Sequence, residues 1–230
     1  MIRVVMPLPI KSVLAGERVV LPLKERTEMT PNELAEIDSF ALKADTGDSE
    51  AEFVNGLCWF AGYGTPKDYS NAVYWYSKAA SKGHNMAAYN LGACYAAGFG
   101  LPKDFSQSVI WFKQAAERGY APAQFNLGCR YFSGEGVPQS FEVAVDWWRQ
   151  SAKQGYLYAV INLADCYLNG SGVLRDEVQA YALLLSLDPV EHGVERRLSE
   201  IRKLLSNLAV EEAQRRAVQI TSSQAPPKRS

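Results

Sequence analysis

The chain has 230 residues, 47% of them hydrophobic and 21% charged, which leaves ample sequence for a folded core and excludes disorder along the whole length. With 24 basic against 25 acidic residues the net charge is -1, which argues against a general nucleic-acid binder or a membrane-surface protein, since both need a basic excess. Aromatic residues are abundant (5 Trp, 12 Tyr and 9 Phe), as are the 17 Gly.

Residues 1–30 hold short β-prone runs such as Arg18-Val19-Val20-Leu21, with no partner strands elsewhere, and are expected to form an extended or weakly ordered arm. The apolar start from Met1 to Ile10 is interrupted by Pro7 and Pro9 and ended by Lys11, too early for a secretory core. Leu14-Ala15-Gly16 has the form of a lipoprotein cleavage box, but Glu17 stands where the lipidated Cys would be. No stretch approaches the roughly 20 consecutive apolar residues a bilayer requires. The expected location is the cytoplasm.

From there a 36-residue period dominates. Blocks starting at Ala51, Ala87, Ala123 and Ala159 align Gly56, Gly92 and Gly128, then Trp59, Tyr95, Tyr131 and Tyr167. Gly62, Gly98, Gly134 and Gly170 align next, and two residues on Gly64, Gly100, Gly136 and Gly172. Trp75, Trp111 and Trp147 form another column, as do Gly83, Gly119 and Gly155. Gly47 and Ala44 stand one period before Gly83 and Ala80, so residues 31–50 read as a capping half-repeat and 51–190 as four repeats.

Each block predicts two helices. The first, as over Ala87–Ala97, carries Leu91 and Tyr95 at helical spacing and stops at the Gly98-x-Gly100 pair, followed by Pro102. Asp104 or a neighbouring Ser suits the N-cap of the second helix, which carries Val109, Trp111, Phe112, Ala115 and Ala116 and ends at Gly119. The Trp column is expected in the core, with Trp148, beside Trp147, turned partly outward. Such short pairs bury their apolar faces only by stacking. The fourth block departs from the pattern: Leu183 replaces the Trp, Leu174 the loop Pro, and Asp188-Pro189 stops the second helix. Residues 191–220 are read as capping helices, from a stripe of Val194, Leu198, Ile201, Leu204, Leu205 and Leu208 and then a short helix around Val210–Val218. Residues 221–230 are expected to be a disordered tail.

Cys58, Cys94 and Cys166 lie 36 and 72 residues apart, with Cys129 one place off that series. No CxxC pair exists and only 2 His are present, so the thiols read as free and structural, with no zinc framework.

Ala-Gln-Phe-Asn-Leu-Gly-Cys-Arg-Tyr-Phe-Ser-Gly-Glu-Gly-Val at 123–137 and Ala-Val-Tyr-Trp-Tyr-Ser-Lys-Ala-Ala-Ser-Lys-Gly at 72–83 are similar to the Sel-1-like repeat, a relative of the tetratricopeptide repeat. The resemblance covers about residues 40–190 and implies an all-α, right-handed α-solenoid. It also implies a non-enzymatic scaffold or adaptor, usually bacterial, in a secretion, signalling or toxin-immunity setting. A cysteine-rich branch of the family is credited with β-lactam binding and carries a Cys pair in each repeat. This chain has one Cys per repeat, so that activity is not carried over; a hydrolase of cell-wall or β-lactam substrates stands only as a family precedent, beside a self-assembling structural protein.

No cofactor is indicated. The Gly-x-Gly pairs follow helices and lack the third Gly or the Gly-Lys-Ser/Thr of nucleotide loops. His84 and His192 read as exposed loop residues. What remains is a surface for a protein partner, with neither nucleic acid nor membrane, on a monomer. By analogy with tetratricopeptide repeats, the first helices line the concave face, which would present Asn90, Asn126 and Asn162 as a column. Phe60, Cys129, Phe132, Ser133, Asp165 and Asn169 join that face. The Asn column either engages an extended peptide backbone or caps and bridges the protein's own backbone, and Phe60 and Phe132 either anchor a partner or pack on the next repeat.

Overall fold

In the computed structural model, which describes residues 29–188 and 193–224, the 36-residue period returns as helix starts. The expected N-terminal arm lies almost wholly outside the described residues, as do His192 and residues 225–230. Among the described residues all regular structure is helical. α1 (Pro31–Asp45) opens on a capping box, in which the Thr30 hydroxyl accepts from the Glu33 amide and the Glu33 carboxylate accepts from the Thr30 amide. The first helices of the repeats are α2 (Ser49–Ala61), α4 (Asn85–Ala97), α6 (Ala121–Ser133) and α8 (Leu157–Asn169), each beginning two residues before its block's Ala. The second helices are α3 (Tyr69–Ser81), α5 (Phe105–Glu117), α7 (Phe141–Lys153) and the shorter α9 (Glu177–Leu185). α10 (Val194–Arg202) and α11 (Asn207–Gln224) are the last helices among the described residues.

The boundaries have local causes. Every first helix ends on a glycine in the left-handed region (Gly62, Gly98, Gly134 and Gly170), where its amide donates back into the last turn. Every second helix begins on a periodic side-chain cap, Asp68, Asp104, Ser140 or Asp176. The second glycine of the loop serves close approach as well as positive φ. A Cβ on Gly100 would strike the backbone of Tyr69, and one on Gly172 the backbone of Phe141.

The helices fall into two compact units divided between Arg118 and Gly119. In the first, α1 packs on α2, α2 on α3, α3 on α4 and α4 on α5; in the second, α6 packs on α7, α7 on α8, α8 on α9, and α9 on both α10 and α11. Each is a stack of helix pairs of the α-solenoid class.

Within a pair, a glycine on the first helix lies under a ring from the second. A Cβ on Gly56 would come within 2.6 Å of Tyr76, one on Gly92 within 2.8 Å of Phe112, and one on Gly128 within 2.5 Å of Trp148. The ring column of the core is therefore Tyr76, Phe112 and Trp148, each almost fully buried, one residue beyond the Trp column expected from the sequence. Trp148 is not an outward ring: it is 2% exposed, and its indole Nε1 donates to the Phe125 carbonyl at 3.0 Å. Trp75, Trp111 and Trp147 sit half-buried on the flank. The reason is angular: Ala72, Tyr76, Ala79 and Ala80 form the inward stripe at i, i+4, i+7 and i+8, and position 75 falls beside it.

Two further expectations change. The apolar stripe over 194–208 is not one helix: α10 stops at Arg202, Ser206 caps the next helix by accepting from the Ala209 amide at 3.2 Å, and Leu204 and Leu208 are left exposed. α11 then runs 18 residues, which carries Thr221–Gln224 into helix instead of a tail. His84 is likewise no exposed loop residue; it caps α4, with Nδ1 accepting from the Ala87 amide at 3.1 Å, Nε2 3.0 Å from Glu50 and the ring stacked on Phe53.

Candidate functional site

On α8, Ala159, Val160, Leu163, Ala164 and Cys166 are buried, which commits one side of the helix to the core. Asn162, Asp165 and Asn169 recur at i, i+3 and i+7, so they share another side. The C-terminal half of α6 brings Cys129 and Phe132 toward that side, α7 supplies Trp148, and Ser171 closes the corner after the Gly170 cap. Together these residues line a cleft of about 220 Å³, entirely within the second unit.

The floor is aromatic and sulfur-rich. The Phe132 and Trp148 rings lie 5.3 Å apart, and Phe132 also packs on Phe141 at 4.8 Å. Burial pushes the Cys129 and Cys166 thiols up to about 11, so both stay protonated at neutral pH. In the first unit, burial pushes Cys58 and Cys94 up to about 12. All four thiols are unpaired. Polar groups occupy the mouth. Asp165 is ion-paired with Arg197, from the first turn of α10, and both side chains remain partly exposed. The cleft thus offers rings, neutral thiols, amides and one internally balanced charge pair. Among the described residues, no three His, Cys, Asp or Glu side chains are grouped to hold a metal ion.

A wider depression of about 650 Å³ lies elsewhere in this unit, between Arg149, Tyr167 and the 172–177 loop. Its cations are already engaged, Arg149 with Asp146 at 3.0 Å and Arg175 with Glu177 at 2.8 Å, and its lining is more polar than the cleft's.

Of the residues singled out from the sequence, the cleft brings together Phe132, Asn162, Asp165 and Asn169, with Cys129. Ser133 is exposed nearby and donates to the Cys129 carbonyl at 2.9 Å. The others are not available in the same way. Phe60 is 4% exposed and packs against Tyr69, Tyr76 and Phe99, so it is core and not an anchor. Asn90 is 5% and Asn126 8% exposed, and the Asn126 amide donates to the Pro122 carbonyl at 2.9 Å inside its own helix. The exposed Asn column is therefore reduced to Asn162. Arg197 lies beyond the repeats and has no periodic counterpart, so repeat spacing does not select it; Trp148, expected to turn partly outward, lies beneath the cleft.

Comparison with known proteins agrees with the periodicity. The Sel1 repeat family model matches residues 51–84, 85–120, 121–156 and 157–186. No curated protein matches the chain. Among solved structures it is similar to c5321, a protective antigen present in uropathogenic Escherichia coli strains that displays an SLR fold. The identity is 26% and the TM-score 0.56, over 86% of this chain and 51% of that one. It is also similar to a Sel1 repeat protein from Oxalobacter formigenes, with 26% identity and a TM-score of 0.60 over 79% of this chain and 49% of that one. The chain spans about half the length of each of these structures. With four consecutive repeats matched over more than half its length, each of them a pair of helices, the chain belongs to the Sel1 repeat family.

Proposed function

We propose that this protein is a non-enzymatic adaptor of bacterial type, which binds a segment of a partner protein on the first-helix face of its second unit, with the α6–α7–α8 cleft at the centre. Sel1 repeat proteins generally act in protein–protein interaction. The observation that carries the specific reading is the cleft itself, where an aromatic floor meets Asn162, Asp165 and Asn169 on one side of α8. Side-chain amides there can pair with the carbonyls and amides of an extended main chain, while the floor takes a side chain. A secretion, signalling or toxin-immunity setting suits such a role.

Affinity capture from the native cell, read by mass spectrometry, tests this with three forms of the chain. Asn162→Arg, which crowds the mouth of the cleft, is expected to lose a partner that wild type retains. Ile110→Glu, on an exposed site of α5, is expected to keep it. Equal capture by wild type and Asn162→Arg, both verified as folded by circular dichroism, would remove the cleft from the account.

A further inference from the structure

Asp165 and Arg197, 32 residues apart in sequence on α8 and α10, meet at the edge of the cleft with both side chains partly open to solvent. The position of Arg197 is built: Val194 and Ile201 are buried and seat α10, which leaves Arg197, three residues after Val194, to reach Asp165. The carboxylate side chain is 41% and the guanidinium 39% exposed, so neither is sealed from an incoming ligand. Asp165 is the charged residue of the cleft's lining, and Arg197 reaches the cleft through its ion pair with that carboxylate.

We propose that the Asp165–Arg197 pair is a charge filter, and that the partner segment taken by this cleft is an extended, uncharged stretch of peptide presenting one aromatic side chain. This rests on the reading of the cleft as the partner site. The balance of charge selects against both signs. A cation brought to the rim meets Asp165 but also Arg197, and an anion meets the converse, so either gives up hydration for little return. An uncharged segment loses less water. The choice of an aromatic side chain follows from size and surface. The cleft's volume of about 220 Å³ exceeds the roughly 150 Å³ that admits a benzene ring into an apolar cavity. Phe132, backed by the buried Trp148 ring at 5.3 Å, offers an aromatic contact, and Cys129 beside it a polarizable sulfur. Asn162 and Asn169 remain for the main chain on either side.

The filter makes a prediction that a merely structural ion pair does not. Arg197→Gln unmasks a carboxylate beside an aromatic floor and turns the preference toward Lys- or Arg-bearing segments; Asp165→Asn unmasks a guanidinium and turns it toward Asp- or Glu-bearing ones. The test uses the full chain and a phage-displayed library of random heptapeptides, selected in parallel against wild type, Arg197→Gln, Asp165→Asn and Arg197→Lys. Fluorescence anisotropy then measures the wild-type consensus peptide and its versions with Lys or Glu next to the aromatic residue. Wild type and Arg197→Lys are expected to select an aromatic residue flanked by uncharged ones, and to bind it at least about tenfold tighter than either charged version. Arg197→Gln is expected to favour the Lys version over the Glu version by a similar factor, and Asp165→Asn the reverse. Melting curves establish that the variants fold. If wild type selects no peptide, the partner-site reading falls and the filter with it. If it selects a charged consensus, or the two charge variants rank the peptides as wild type does, the filter is wrong while the adaptor reading stands.

Discussion

At Gly56, Gly92 and Gly128 a missing Cβ decides how closely two helices approach, because a ring already occupies the place where that atom would go. The fourth repeat has different volumes at these places: the positions one period after Gly128 and Trp148 are Ala164 and Leu184, both fully buried in the same core. Adding a methyl on one side accompanies a smaller side chain on the other. Gly128→Ala is therefore expected to destabilise the protein. The gain in helix propensity, about 1 kcal/mol, is outweighed by overpacking of roughly 1–3 kcal/mol, and Nε1 of Trp148 cannot retreat without leaving the Phe125 carbonyl. Trp148→Leu alone leaves a cavity and is expected to cost about 3 kcal/mol or more. The double variant, which reproduces the fourth repeat's pair, is expected to cost less than the sum by roughly 0.5–3 kcal/mol in urea unfolding, and strict additivity would contradict the volume exchange. The spacing of glycines and rings was legible in the sequence. Which of two adjacent rings faces inward was not read from the Trp column, although the alanine stripe at 72, 79 and 80 points to Tyr76 and not Trp75. His84 misled for a similar reason: its place after Gly83 marks a loop, but only the packed Phe53 and Glu50 make it a cap.

Among elements, the four repeats were readable because each helix carries its own start and stop, a periodic Asp or Ser before the second helix and a glycine after the first. The C-terminal cap was less readable. Its apolar residues keep helical spacing through the break at 203–206, so spacing alone does not reveal that Leu204 and Leu208 are left exposed. What holds α11 in place is visible only in three dimensions. Ala213 and Ala217 are buried, α11 packs on α9, and Arg216 reaches Asp176 at 3.0 Å and Gln179 at 3.2 Å while also holding Glu212. Arg216 and then Arg215 hold the Glu212 carboxyl below its ordinary range. A depressed carboxylate contributes stability that is present above its unfolded pKa, about 4.3, and is lost as pH falls through the folded value. Arg216→Ala is accordingly expected to lower stability only modestly at pH 7, since the pairs are partly exposed. The difference between wild type and variant should shrink as pH falls below about 4. A gap that persists unchanged into acid would mean that Arg216 acts through packing alone.

For the molecule as a whole, periodicity establishes a solenoid class and family, and the departures from periodicity point to the site. Phe132, Asn162, Asp165 and Asn169 were reachable from the sequence because one rule, the outward face of the first helices, selects them. The same rule also selected Phe60, Asn90 and Asn126, which neighbouring helices bury. Helical phase shows the side on which a residue lies; what covers that side is a matter of packing. Arg197 escapes any repeat-based reading, yet it completes the charge at the cleft rim from a helix that belongs to the cap. The most direct measurement of the central claim is a nuclear magnetic resonance titration of the isotope-labelled full chain with the library-selected peptide. Shifts are expected to concentrate on the side-chain amides of Asn162 and Asn169 and on the Trp148 indole N–H, with the Trp75 and Trp111 indoles unmoved. Shifts centred on Trp75, Trp111 and their neighbours Tyr74 and Ile110, with the cleft silent, would contradict it.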